Sequence, residues 1–136
     1  MKTISLKTRQ PVEFIDITEQ VAQAVTESKV RDGLCTVFVP HTTAGLTINE
    51  NADPDVREDI IAVLNKLIPA AGAYRHLEGN SHAHIKSSLL GHSHTVIVQG
   101  GEMQLGTWQG IYFCEFDGPR SREVWVRITR SGQHDA

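Results

Sequence analysis

The chain has no long apolar run, little cysteine and few aromatic residues, and its charges nearly cancel. No stretch approaches the roughly 20 consecutive apolar residues of a membrane-spanning helix. The start, MKTISLKTRQ, alternates polar and apolar residues and lacks the apolar core of a signal peptide. Two cysteines, Cys35 and Cys114, sit inside apolar β-like runs; they imply no disulfide framework and suit a reducing, cytoplasmic home. A net charge of −3 supplies no positive field for nucleic acid or an anionic membrane. Repeats, linkers and low-complexity segments are missing too, as are P-loop, nucleophile-elbow, Rossmann and zinc-finger patterns. The expectation is one domain over 1–136, whose 40% hydrophobic residues are enough for one core.

Turn residues and alternation predict strands over 2–8 and 12–16, joined as a hairpin at Gln10-Pro11. A helix is expected next, with Thr18 as cap, an apolar stripe of Val21, Ala22 and Val25, and Gly33 as its stop. LCTVFVP (34–40) reads as an apolar strand that delivers His41 at its end. The strongest helix signal follows. Asp53 is the N-cap, Pro54 the first helical residue, and Asp55, Glu58 and Asp59 load the opening turns with negative charge. Val56, Ile60, Val63, Leu64 and Leu67 make its apolar face, and Pro69 ends it. A third helix is expected from about 83 to 90, closed by Gly91. The remainder is β: 95–99, a turn at Gly100-Gly101, MQLG, 109–116 and 122–128, with a frayed tail at 131–136. Strands at both ends with helices between them indicate an α+β domain.

Three polar segments stand apart: HTTAGLTINENADPD (41–55), YRHLEGNSHAHIK (74–86) and GTWQGIYFCEFDGPR (106–120). Their His, Asn, Glu, Asp, Gln and Gly are the vocabulary of a metal or phosphate site. A strand end would hold His41 rigidly towards a cleft, although HTT alone more often closes a structural turn. Helix capping uses Asp53 and leaves Asn49 and Glu50 as site candidates. In extended chain His76 and Glu78 point the same way. His82 and His84 share one metal only off a helix, where residues two apart diverge by roughly 200°. His92-Ser93-His94 fits a solvated turn. Glu115 and Asp117 share one strand face, either for a cation or on a solvated edge, with Cys114 and Phe116 in the core.

The blocks HTTAGLTINENADPDVREDI, YRHLEGNSHAHIKSSLLG and LGTWQGIYFCEFDGPR, in this order, resemble the signature of the YjbQ family, also called secondary thiamine-phosphate synthases. The resemblance spans nearly the whole chain. It implies an α+β fold with a two-sheet β-sandwich and inserted helices, assembled as a homotrimer whose pockets form between subunits. The family pattern takes in His41, His76 and His84, together with Asn49, Glu50, Asn51, Glu78, Lys86, Trp108, Gln109 and Glu115; His82, His92 and His94 fall outside it. It implies a divalent metal on His41, His76 and His84, zinc ahead of magnesium, with one position open to water or substrate. The implied activity joins a pyrimidine diphosphate to a thiazole phosphate and releases pyrophosphate. Glu50, Glu78, Lys86 and Asn49 are then the catalytic candidates, and Asn51, Trp108, Gln109, Glu115 and Arg120 the substrate-binding ones, with Arg75 as a further cation for phosphate. Two alternatives stand beside it: a zinc-dependent hydrolase with Glu50 or Glu78 as base, and a non-catalytic trimeric protein that binds a metal or ligand.

Overall fold

The computed structural model describes residues 1–132. The chain runs β1 (Lys2–Lys7), β2 (Glu13–Asp16), α1 (Thr18–Ser28), β3 (Gly33–Phe38), β4 (Ala44–Glu50) and α2 (Pro54–Leu67). It continues through α3 (Ser81–Leu90), β5 (Ser93–Gln99), β6 (Glu102–Met103), β7 (Gln109–Glu115) and β8 (Ser121–Arg130). All pairings are antiparallel, in a five-stranded sheet ordered β1-β8-β3-β5-β6 and a three-stranded sheet ordered β2-β7-β4. The fold is α+β, as the resemblance implies.

The expected hairpin at the start does not form, because β1 pairs with β8 and β2 with β7, in different sheets. The link between them is tied elsewhere. Thr8 N–H donates to the Arg120 carbonyl, Arg9 N–H to the Glu13 carboxylate, and Gly118 N–H to the Pro11 carbonyl.

The two sheets close on one main core. Ile4, Cys35, Val37, Val96, Val98, Val124 and Val126 face it from the large sheet, Leu46, Ile111 and Phe113 from the small one, and Val21, Ala24 and Val25 from α1. Phe14, Tyr112, Cys114 and Phe116, on the opposite face of the small sheet, pack with Leu64 of α2 and Ala83 of α3. Strand β7 is thus covered on both sides, which explains its nearly continuous apolar sequence.

Several local expectations shift. Ile17, not Thr18, is the N-cap residue of α1; the Thr18 hydroxyl donates to Asp16 (2.6 Å) and accepts Ile111 N–H (2.8 Å). Lys29 takes the left-handed position that ends α1, while Gly33 opens β3 against the Thr129 backbone, where a Cβ would collide. Ala24, not Ala22, completes the α1 stripe, being three residues after Val21. In α2, Asp53 accepts Asp55 N–H (2.9 Å) and Pro54 starts the helix as expected. Its apolar face is only half covered, since Leu64 is buried while Val63 and Leu67 are exposed. Helix α3 begins two residues earlier than expected and ends at Gly91, whose φ of 84° few other residues adopt. Both turn glycines, Gly100 and Gly101, have positive φ and join β5 to β6 in a two-residue hairpin. Of the tail expected to fray, 133–136 lies outside the described residues.

Candidate functional site

Strand β4 divides the sequence-selected residues. Its six residue steps span roughly 20 Å, with the histidines near its start and Asn49, Glu50, Asn51, Trp108 and Gln109 around its end. The sequence alone did not identify β4 as a strand.

At the first end a cleft of about 380 Å³ opens between the loop after β3, the start of α3 and the turn after β7. His41 enters it from the β3 side, and its Nε2 accepts the backbone N–H of Glu123 at 2.9 Å. The neutral ring therefore carries its proton on Nδ1. Burial and the Arg122 guanidinium hold the His41 pKa below its ordinary value, against the pull of Glu115 and Glu123. From α3, His84 lines the same cleft and meets His76 edge to face, with ring centroids 5.5 Å apart. His76 Nε2 lies 3.6 Å from the Glu78 carboxylate.

The cleft floor is a polar lattice. Asn80 donates to Asp117 (2.9 Å), and Asp117 accepts Arg120 Nη2 (2.9 Å) through its side chain and Arg120 Nε (2.7 Å) through its carbonyl. Asn80 Oδ1 is sealed from solvent without a partner, as is Nδ1 of His82. His82 points away from His84 around α3; burial and Lys86 lower its pKa, opposed by Asp117. Gly118 lets the turn close, because a Cβ there would strike the Gln10 carbonyl and the Glu115 and Thr8 side chains.

Glu115 lies on neither a solvated edge nor an open cation site. It is fully buried on the inter-sheet side, bound by Arg122 through Nε (2.8 Å) and Nη2, by the Thr8 hydroxyl (2.7 Å) and by Asp117 N–H (3.0 Å). Burial raises its pKa, but these donors outweigh it and the net shift is downward. Arg122 Nη2 also reaches the Thr43 hydroxyl (2.8 Å) and carbonyl (3.3 Å). Arg122, Thr43 and Asn80 were not singled out from the sequence. The signal for Arg122 was a cation in register with Val124 and Val126 on an inward strand face.

The second end is a separate group. Asn51 donates to Asp16 (3.1 Å) and, through its backbone, to the Trp108 carbonyl (3.0 Å). Tyr112 donates to the Glu50 carbonyl (3.2 Å), Asn49 Oδ1 accepts Glu50 N–H, and Gln109 Oε1 accepts Gly106 N–H. Trp108 is 62% exposed. Lys86 occupies a third place, buried among α2, α3 and the small sheet. Its Nζ donates to Asn65 Oδ1 (2.6 Å) and lies 5.9 Å from the Phe116 ring centre; burial lowers its pKa.

Among the described residues no three His, Cys, Asp or Glu side chains converge on one point. His76, Glu78 and His84 lie near one another and carry donors of the type a divalent cation takes, without the convergence that would hold one. His41 Nε2 is committed to Glu123.

A family described as UPF0047 protein YjbQ-like matches residues 2–131. The chain is 58% identical over 123 residues to the UPF0047 protein MJ1081 of Methanocaldococcus jannaschii, covering 90% of this chain and 89% of that one. It is 49% identical over 129 residues to YugU of Bacillus subtilis, covering 94% and 98%. A crystal structure of a YjbQ/UPF0047 protein from Clostridium acetobutylicum superposes with a TM-score of 0.94 at 60% identity, over 95% of this chain and all of that one. A YbjQ-like protein of Sulfolobus solfataricus superposes with a TM-score of 0.92 at 34% identity, over 96% of each. With this match along nearly its whole length, the chain belongs to the YjbQ (UPF0047) family.

Proposed function

We propose that the chain is a cytoplasmic enzyme that handles a small phosphorylated substrate in the His41–His84 cleft, with chemistry of the thiamine-phosphate synthase kind. The observation that carries this is the meeting of His41, Glu78, His84, Arg120 and Arg122 around one opening. Histidines and a carboxylate supply proton-transfer groups, and the two arginines supply fixed donors for phosphate oxygens. A divalent cation, zinc ahead of magnesium, would be held by His76 and His84 and would supply Lewis-acid stabilisation of a leaving phosphate. Arg120 and Arg122 orient the phosphate, neutral His41 offers Nδ1–H as a donor, and Glu78 accepts a proton.

The cleft size favours a second reading. At about 380 Å³ it is near the small end of ligand sites and suits one phosphorylated molecule better than two heterocycles and a diphosphate. Hydrolysis of a small phosphate ester with Glu78 as base is the reading that follows. A homotrimer would enlarge the cleft if Trp108, Gln109 and Asn51 of one copy approached the histidines of the next. Leu34, Phe38 and Ile97, exposed on the outer face of the large sheet, favour self-association. Among the described residues no helix is long and apolar enough to cross a membrane.

The test is turnover by metal-supplemented protein, reading pyrophosphate release from the pyrimidine diphosphate plus thiazole phosphate, and phosphate release from phosphate esters. Activity that disappears in His84→Ala and Glu78→Gln supports the site. No turnover of either substrate class by folded, metal-loaded protein sinks the enzymatic reading.

A further inference from the structure

We propose that the cleft between α2 and β2 binds a small carboxylic acid, whose carboxylate docks on Asn65 and offsets the buried charge of Lys86. This opening of about 510 Å³ shares no lining residue with the histidine cleft, so the proposal does not depend on the reading above. Lys86 is 2% exposed, and among the described residues no carboxylate lies within ion-pair distance of its ammonium. Asp117, the acid beside the start of α3, is already bound by Arg120 and Asn80. A buried cation held by a neutral amide carries a desolvation penalty, which an anion brought close to it relieves.

Asn65 is the route to that charge. An ammonium only donates, so the 2.6 Å bond from Lys86 Nζ turns Asn65 Oδ1 towards the lysine. Asn65 lines the cleft, and its other polar atom, Nδ2, has only hydrogens to offer. A group bound there must therefore be an acceptor. Its oxygen would sit roughly 6 Å from the ammonium, near enough for opposite charge to count.

Val12 and Phe14 from β2, with Ile61 and Ala62 from α2, supply apolar surface for a ring or short chain. Two other acids border the cleft and neither opposes an anion at Asn65. Glu13 falls on the opposite face of β2 from Phe14 and accepts Arg9 N–H. Glu58 lies about two turns before Asn65, roughly 10 Å along the axis of α2. Arg57 stands beside Glu58 at that far end, where its Nη1 donates to the Phe14 carbonyl at 3.4 Å. The Asn65 end is thus the positive one. One amide donor without a guanidinium fork suits a singly charged carboxylate better than a phosphate.

The experiment is an NMR titration of isotope-labelled protein at fixed ionic strength with benzoate, acetophenone and benzylamine, three probes of similar shape. Amide signals of α2 and β2 should shift. Benzoate should bind about tenfold tighter than acetophenone, and benzylamine weakest of the three. Asn65→Leu should weaken benzoate about tenfold. Lys86→Met should bring the benzoate-to-acetophenone ratio close to one, an effect that a purely structural lysine would not produce; its fold is checked by circular dichroism. If that variant does not fold, Asn65→Leu and Ala62→Trp carry the test, the tryptophan filling the cleft and abolishing binding of both probes. Benzoate no tighter than acetophenone or benzylamine, undiminished binding in Asn65→Leu, or shifts centred on His41 and His84 instead of α2 overturns the proposal.

Discussion

His41 Nε2 accepts the Glu123 backbone N–H at 2.9 Å, which pins the loop after β3 to β8 and fixes the tautomer of the ring. A nitrogen whose lone pair is used this way does not also hold a metal, so in this conformation His41 is a donor through Nδ1. Its pKa is held below 6.5 by burial and Arg122, which keeps the ring neutral at pH 7. Long-range proton–nitrogen NMR at pH 7 should report the Nδ1–H tautomer, titrating below 6.5. Added zinc should shift His76 and His84 and leave the His41 tautomer in place. If all three rings shift together, His41 belongs among the ligands.

Glu115→Gln removes the carboxylate that Arg122 pairs with and leaves a buried guanidinium uncompensated. The expected loss is about 3–5 kcal/mol, the usual cost of breaking a buried ion pair from one side. The sign with pH follows from the lowered carboxyl pKa. Its stabilisation is complete above the ordinary value of 4.5 and is lost as pH falls through the lower folded value. Urea unfolding at pH 7 and in the acid range should show the gap between wild type and variant narrowing in acid. A gap independent of pH would mean that the pair is not what the carboxylate contributes.

Ser87 resembles a nucleophile beside a base, but its geometry says otherwise. Its hydroxyl hydrogen goes to the Ala44 carbonyl (2.7 Å), so the 2.8 Å contact with His92 Nε2 is one in which the imidazole donates. The serine is fully buried, and the pair ties α3 and the start of β5 to β4. His92→Ala should cost about 1 kcal/mol in urea unfolding, while His94→Ala should stay within about 0.5 kcal/mol. Equal effects from the two would remove the structural role given to His92.

The elements legible in the sequence were those with local causes. Asp53-Pro54 starts α2 through a side-chain cap and a fixed φ, and Gly100-Gly101 turns the chain because both residues need positive φ. What escaped was set by distant partners. Residues 41–55 look like a polar loop, yet 44–50 is a strand because β7 supplies its ladder and α3 covers it. Glu115 read as a cation ligand or a solvated edge carboxylate because its counter-ion, Arg122, lies across a turn and at the margin of the last strand. The three signature histidines were visible by type. Their spacing could not reveal that His76 and His84 meet while His41 bonds to β8, since these contacts depend on how α3 and β8 flank the cleft.

Lys86 is the clearest case of a residue the fold does not need. The residue is 2% exposed, and among the described residues its ammonium has one acceptor, the neutral side chain of Asn65. Replacing it with Met keeps the volume and removes a charge from an apolar setting beside Phe116, a change that is often neutral or stabilising. We expect Lys86→Met to raise the melting temperature at pH 7 by about 2–4 °C, equivalent to about 1 kcal/mol. The lysine pKa is lowered on folding, so its penalty is full below the folded value and fades as pH rises through it towards 10.5. The melting temperatures of wild type and variant should therefore converge at alkaline pH. A stabilised variant that loses turnover would mean that Lys86 is retained for chemistry at the expense of the fold. A strongly destabilised one would make the Lys86–Asn65 bond a structural tie between α2 and α3.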